Sequence, residues 1–308
     1  MRKNTTGIAI VAPGGYAPDN DAVERAIAEL EAQNCRVYNY YQHAERSQRF
    51  GGNDIARLSQ IQAAAFNPDV DVVIALRGGY GMSRLLPHLD FDMYASSGKL
   101  FVGHSDFTAF QLAFLRKTNA ISFAGPMICN DFTRDDKSEF TLSHFWNCLN
   151  GPDYAVEWKA EENPEVDVVG TLWGGNLTMI TQLLGTRWMP RVEDGILFIE
   201  DINEHPYRIE RMLLHLYHAG IIATQQALVF GDFSGYSVTE YDNGYDFESM
   251  LDWIRSHIPV PLVTGLPFGH IRDKVTLPVG AYSRLVSDSG TVRLKVAAYP
   301  TLESLKQR

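Results

Sequence analysis

The stretch Phe101-Val-Gly-His-Ser105-Asp-Phe-Thr108 puts a serine between a short apolar run and the first residues of a helical pattern. A serine at the junction of a buried strand and a helix is where a nucleophile elbow exposes its hydroxyl, with the first free amides of the helix facing any anion that forms there. The match to Gly-x-Ser-x-Gly is partial, because Phe107 stands two positions after the serine, and a serine that simply caps a helix is the competing reading. A second feature, Arg77-Gly78-Gly79-Tyr80-Gly81, follows another apolar run. Closely spaced glycines let backbone amides approach a ligand with no Cβ in the way, as an oxyanion hole or a phosphate cradle requires. Gly79-x-Gly81 begins a dinucleotide fingerprint, but Arg84 occupies the third glycine position and no Gly-x4-Gly-Lys-Ser/Thr sequence occurs. A nucleotide cofactor is therefore not expected.

A serine nucleophile needs a base, and nine histidines are available. His215 and His218 are spaced to share a helix face, but no third ligand stands at a persuasive spacing, so no metal is expected. His270 differs in context: Thr264-Gly-Leu-Pro-Phe-Gly-His270 places it in a Gly/Pro-ordered loop after the apolar run Val260 to Val263, where folds of this kind carry catalytic groups. Glu200 and Asp201 end the strongly apolar segment Gly195-Ile-Leu-Phe-Ile-Glu-Asp-Ile202. A carboxylate there is costly to desolvate unless it accepts hydrogen bonds, either from a histidine or from Arg208 or Arg211 on the next helix. The order Ser105, Glu200, His270 is the nucleophile, acid, base order of the α/β-hydrolases. Here the serine lies in one half of the chain and the other two in the second half, so the site is expected in a cleft between them.

The elements that must position these groups alternate in the first half. Apolar runs at Ile8 to Ala12, Cys35 to Tyr40, Val70 to Leu76 and Leu100 to Gly103 read as strands. Helical patterns fall between or after them, over Asp21 to Glu31, from Asn53 to about Phe66, over Met82 to Leu89 and over Phe107 to Arg116. That rhythm predicts a mostly parallel sheet covered on both faces. Residues 151–167, with two prolines and four glutamates nearby, read as a crossover linker between an N-terminal domain (1–150) and a smaller C-terminal α/β domain (168–308). The second half continues with a helix to about Leu184, strands at Ile196 to Ile199 and Ala227 to Phe230, helices at Pro206 to His218 and Phe247 to His257, and short terminal strands.

Composition narrows the partners. Twenty-seven Lys and Arg against 37 Asp and Glu give a net charge of −10, and with no basic run a nucleic-acid partner is not expected. Three cysteines, Cys35, Cys129 and Cys148, are too few and too scattered for a disulfide framework. No segment approaches the roughly 18 consecutive apolar residues of a membrane span, and Met1 leads into a short strand with no export-type apolar region. No membrane association and a cytoplasmic setting are the expectation.

Seven blocks in order carry a resemblance: Val11-Ala-Pro-Gly-Gly15, Arg77-Gly-Gly-Tyr-Gly-Met-Ser-Arg84, Gly103-His-Ser-Asp-Phe-Thr108, Gly125-Pro-Met127, Gly170-Thr-Leu-Trp-Gly-Gly-Asn176, Glu200-Asp-Ile-Asn-Glu204 and Gly265-Leu-Pro-Phe-Gly-His270. Together they resemble the serine LD-carboxypeptidase family, which includes murein tetrapeptide L,D-carboxypeptidases and microcin C immunity hydrolases. The resemblance implies a flavodoxin-like N-terminal domain joined to a smaller C-terminal domain of mixed sheet, in a homodimer without metal or organic cofactor. It assigns Ser105 as nucleophile, Glu200 as the acid, His270 as base, and the backbone amides of Gly79 and Asp106 to the oxyanion hole. Substrate contacts are expected from Arg77, Tyr80, Trp173, Asn176 and Arg208. The implied substrate is the tetrapeptide L-Ala-γ-D-Glu-meso-diaminopimelate-D-Ala; the alternative is the amide of an aminoacyl or peptidyl nucleotide.

Overall fold

The computed structural model describes residues 5–306; the stretch weighed for an export signal begins in residues 1–4, outside them. The first half of the chain runs β1 (Thr6–Val11), α1 (Asn20–Ala32), β2 (Cys35–Asn39), α2 (Asp54–Phe66), β3 (Val72–Ala75), α3 (Met82–Leu85), α4 (Phe91–Ser96), β4 (Leu100–Gly103), α5 (Thr108–Thr118), β5 (Ser122–Ala124) and α6 (Glu139–Asn150). β3 and β4 are buried at every residue, as strands covered on both faces must be. Helix starts are marked chemically: Asp19 accepts from the Ala22 amide and Asn53 from the Ala56 amide, each at 2.9 Å, satisfying donors that the first turn cannot. The helix read over Met82 to Leu89 stops at Leu85 and tightens into a 3₁₀ turn at Leu86–His88, where Pro87 lacks the amide that a continuing helix would use.

β2, β1, β3, β4 and β5 lie side by side and parallel in that order, which is the flavodoxin-like arrangement. The second sheet is built from β6 (Tyr154–Lys159), β7 (Val166–Asn176), β8 (Gly195–Ile202), β9 (Gln225–Ser234), β10 (Leu262–Val263), β12 (Tyr282–Asp288) and β13 (Thr291–Ala297). Its order is β10-β9-β8-β7-β12-β13-β6. The β7 to β10 side is parallel and the β6, β13, β12, β7 side antiparallel, so the sheet is mixed. Helices α7 (Leu177–Leu183), α8 (Pro206–His218) and α9 (Phe247–His257) accompany it, and α10 (Leu302–Lys306) ends the described chain.

Two features differ from the sequence reading. Residues 151–167 are no plain linker: β6 pairs with β13 along its length and buries Tyr154, Val156 and Trp158 while Ala155, Glu157 and Lys159 face outward. This period-two pattern was hidden by the glutamates and prolines around it. The other is β11 (Leu277–Val279), which leaves the C-terminal half and pairs antiparallel with β5 at the edge of the first sheet.

The chain leading into β11 is pinned to the first half. Lys274 Nζ lies 2.6 Å from Asp131 Oδ1 with both side chains 4% exposed, and Asp131 Oδ2 accepts the Met127 amide at 2.8 Å. Thr141 Oγ1 donates to the Arg272 carbonyl at 2.8 Å and accepts the Lys274 amide at 2.9 Å. Removing one member of a buried ion pair strands the other, so Lys274→Met is expected to cost about 3–5 kcal/mol. The double variant Lys274→Met/Asp131→Asn, which keeps an acceptor for Met127, is expected to lose less; urea unfolding midpoints compare the two.

Candidate active site

Ser105 follows β4 after one residue and has φ +61°, a left-handed conformation uncommon for a side chain other than glycine and of the kind that costs about 1–3 kcal/mol. The turn is tight because Gly103 has no Cβ: one placed there would stand 2.8 Å from the Phe107 ring and 3.0 Å from Ala75. Ser105 opens a 3₁₀ turn that runs into α5, and its side chain caps neither. Its Oγ instead lies 3.0 Å from His270 Nε2, and His270 Nδ1 lies 2.7 Å from Glu200 Oε2. With Glu200 ionised, Nδ1–H donates to the carboxylate and Nε2 is left to accept from the serine hydroxyl.

The loop carrying His270 is seated on an irregularity of the second sheet. The β8–β9 register passes from Ile199 opposite Phe230 to Asp201 opposite Phe233, so β9 carries one extra residue beside Glu200. A bulge of this sort bends the strand and re-aims side chains. There the Asp232 amide donates to the Phe268 carbonyl at 2.8 Å, and Gly231 is required because a Cβ would meet that carbonyl oxygen at 2.4 Å. Burial lowers the His270 pKa, but the hydrogen bond and charge of Glu200 outweigh it and the net shift is upward. His104, whose Nδ1 lies 2.8 Å from the Gly125 carbonyl, sits edge to face with His270 at 5.3 Å. Burial, then the charge of Lys274, drives its pKa well down, so His104 stays neutral.

Beside the serine, the glycine turn leaves an open notch. A Cβ on Gly78 would stand 2.7 Å from Ser105 Oγ and 3.4 Å from the Asp106 amide nitrogen. The neighbouring Gly79 has φ +101°, and the Gly78 carbonyl is held by the Gly15 amide at 2.8 Å. Asp106 ties this turn to the elbow, its Oδ2 accepting the Met82 amide at 2.9 Å. Arg57, 0% exposed, bonds the carbonyls of Pro13 and Gly81 and pairs with Asp54. The sequence reading placed Gly78 in the glycine turn without a role of its own, and it overlooked Arg57 and the Asp106 side chain. Arg57 had a signal: with Gln60, Ile61 and Ala64 it occupies the buried stripe of α2 at spacings that face one side of a helix.

Comparison with known proteins gives the family. Residues 8–125 match the model of the LD-carboxypeptidase N-terminal domain and residues 169–285 that of the LD-carboxypeptidase C-terminal domain. The crystal structure of muramoyltetrapeptide carboxypeptidase from Oxalobacter formigenes superposes with a TM-score of 0.92 at 56% identity, covering 96% of this chain and 100% of that one. The chain belongs to the LD-carboxypeptidase family. A Bacillus subtilis (strain 168) protein named "Probable murein peptide carboxypeptidase" is 27% identical over 279 residues, covering 89% of this chain and 86% of its own. The microcin C7 self immunity protein MccF, in complex with aspartyl sulfamoyl adenosine, shares the fold with a TM-score of 0.86 at 21% identity, over 96% of this chain and 97% of that one.

In this LD-carboxypeptidase the two adjacent carboxylates of β8 are separated by strand alternation. Glu200 is 0% exposed and faces His270. Asp201 accepts from Asn176 Nδ2 and the Thr178 and Ile202 amides, each at 2.9 Å, and from Thr178 Oγ1 at 2.8 Å. Neither carboxylate pairs with Arg208, which bonds Glu204 four residues before it. Two expected substrate contacts need correction. Trp173 is 0% exposed and donates Nε1–H to Gln225 at 2.7 Å, so it packs the second sheet and offers no surface to a ligand. Asn176 is buried and committed as well, capping α7 through the Met179 amide at 3.1 Å and donating to Asp201. Arg208 is half exposed and tied to Glu204. Arg77 and Tyr80 flank the glycine turn, with Tyr80 38% exposed.

These contacts generate two expectations for labelling by a fluorophosphonate, which reads the serine without a peptide substrate. Gly78→Ala is expected to keep the fold and lower the labelling rate about 10²-fold or more, because the methyl fills the notch. In the parent protein the rate is expected to rise with pH through the His270 pKa, on the alkaline side of its ordinary value of 6.5, since only the neutral ring accepts the proton. Glu200→Gln removes the group that raises that pKa, so the rise moves to lower pH while the plateau falls by about 10²- to 10⁴-fold. Asp201→Asn removes a smaller contribution of the same sign, so the rise is expected to move in the same direction by less than in Glu200→Gln, with the plateau kept.

Proposed function

We propose that this chain is a serine L,D-carboxypeptidase releasing the terminal D-Ala from the murein tetrapeptide L-Ala-γ-D-Glu-meso-diaminopimelate-D-Ala, in the cytoplasm and as a homodimer. What carries the reading is the full-length likeness to muramoyltetrapeptide carboxypeptidase at 56% identity, supported by the hydrogen-bonded Ser105, His270 and Glu200. Among the described residues no helix is long and apolar enough to cross a membrane.

In this reading His270 Nε2 takes the hydroxyl proton as Ser105 Oγ attacks the carbonyl joining diaminopimelate to D-Ala. Glu200 holds the ring in the Nδ1–H tautomer and offsets the charge of the imidazolium. The amides of Gly79 and Asp106 receive the oxyanion in the notch beside Gly78. The imidazolium then protonates the departing amine, D-Ala leaves, and a water activated by the same His270 hydrolyses the acyl-serine to regenerate the hydroxyl. No metal or organic cofactor enters the sequence.

Stereochemistry at the scissile bond tests the proposal. A site shaped for the methyl and carboxylate of D-Ala rejects the L epimer, which either clashes or draws its carboxylate off its donors. The tetrapeptide is expected to give a kcat/KM at least about 10²-fold above its L-Ala epimer, some 2.7 kcal/mol in transition-state binding, and to exceed the pentapeptide ending in D-Ala-D-Ala. Equal rates on the two epimers overturn the assignment, and dominant turnover of an aminoacyl sulfamoyl adenosine moves the protein to the nucleotide-amide reading. Ser105→Ala is expected to bind tetrapeptide and release no alanine; a tenth of the parent kcat in that variant would place the nucleophile elsewhere.

A further inference from the structure

The first half of the chain carries, around its glycine turn, a set of arginines that the reaction itself does not use. Arg46 and Arg49 stand on the loop between β2 and α2, and Arg77 and Arg84 bracket the glycine turn. Their guanidinium groups lie against aromatic rings: Arg46 is 5.9 Å from the centre of Tyr16, Arg49 is 6.0 Å from Tyr80, and Arg84 is 4.7 Å from Phe50 and 5.9 Å from Tyr80. The Phe50 and Tyr80 rings are themselves 6.1 Å apart. Among the described residues none of the four arginines forms an ion pair with a carboxylate. In a chain with 37 acidic and 27 basic residues, this is a basic patch with no directly paired carboxylate.

Its position and stiffness point to a ligand. Tyr80 is two residues beyond Gly78, the residue that abuts Ser105 Oγ. Ser83, next to Arg84 on α3, reaches across to Gln182 of α7 at 3.1 Å, so this helix borders the second half of the molecule. The loop holding Arg49 is fastened by backbone bonds, Gly51 N–H to Gly14 at 3.0 Å, Tyr16 N–H to Arg49 at 3.3 Å and the reciprocal Ser47–Phe50 pair at 3.1 and 2.9 Å. Arg46, Arg49 and Arg84 are exposed, while Phe50, the ring under Arg84, is buried. A guanidinium stacked on a ring keeps its plane fixed and its N–H edge free, which suits bidentate binding of a carboxylate.

We infer that Arg49 and Arg84, on the Phe50–Tyr80 platform, form a subsite for a carboxylate of the peptide substrate. The inference rests on the proposed tetrapeptide reading and names a determinant of its specificity. Three carboxylates of that peptide lie away from the bond that breaks: those of the γ-linked glutamyl residue, the free end of diaminopimelate and the terminal alanine. The chemistry is the same for each.

The test measures kcat and KM for the parent, Arg49→Gln and Arg84→Gln on the tetrapeptide and on three forms amidated singly at each carboxylate. Each arginine variant is expected to raise KM about tenfold or more on the unmodified peptide with kcat nearly unchanged. That defect is expected to vanish with one of the amidated peptides, which identifies the carboxylate bound. Parent KM in both variants, or an equal defect on every amidated peptide, overturns the subsite. Calorimetric titration of the tetrapeptide into Ser105→Ala, with and without the two arginine substitutions, reads the same contact without turnover. If the parent protein releases no alanine the reaction assignment fails, and the titration alone then decides: arginine-dependent binding supports the subsite and arginine-independent or absent binding overturns it.

Discussion

The hydrogen bond from Ser105 to His270 joins groups that two different sheets position. Ser105 hangs on the end of β4 in the first sheet, Glu200 lies in β8 of the second, and His270 reaches between them from a loop seated on β9. A proton can pass along this line only while both contacts stay within hydrogen-bond range, so the two halves must keep their separation to a fraction of an ångström. Several packed contacts are set to that end. Gly175 at the end of β7 meets Thr108 at the start of α5, where a Cβ would stand 2.6 Å from the threonine Oγ1, and the same Oγ1 accepts the Asn176 amide at 3.1 Å. On the other flank the chain after His270 runs directly into the buried Lys274–Asp131 pair and then into β11.

The electrostatics of the site follow from how few polar partners it has. Glu200 Oε1 has no hydrogen-bond partner among the described residues, so His270 is the principal stabiliser of that carboxylate, and the strength of their contact is what lifts the imidazole pKa against burial. Lys274 opposes that rise and also helps to keep His104 neutral. The cation that fastens the two halves thus also tempers the basicity of His270. Asp201, one residue from Glu200, adds a smaller pull on His270 in the same direction, although its own oxygens are engaged by donors on the α7 side.

Much of this was legible in the sequence where local chemistry and burial agree. β3, β4 and β8 are apolar because they are covered, and each ends in the residues that matter because strand ends are where a buried sheet first meets the cleft. The proximity of Ser105, His270 and the Glu200–Asp201 pair could be anticipated from three strand ends and the order of residue types, while the choice of Glu200 came from the family resemblance. What escaped was set by tertiary contact. β6 escaped, and a short strand was read around Val275 without the sheet it joins; β6 pairs with β13 and β11 with β5, partners more than a hundred residues away, so local pattern gave little sign of either pairing. Trp173 and Asn176 sit in a motif whose neighbours border the cleft, and only the direction of each side chain shows that one packs the core and the other caps a helix. Between Glu200 and Asp201 the residue types were equivalent; the alternation of β8 and the bulge in β9 separate them.

The return of β11 to the first sheet bears on how such a molecule could be taken apart or recombined. A piece ending at Asn150 would leave β5 as a bare edge with its ladder groups facing solvent, and would strand Asp131 in the interior without its cation. The complementary piece would carry a three-residue strand with no sheet to join. The two halves are therefore not interchangeable cassettes: a chimera that exchanged the first half at residue 150 would have to bring the matching Leu277–Val279 segment with it, because that segment completes the edge of the first sheet.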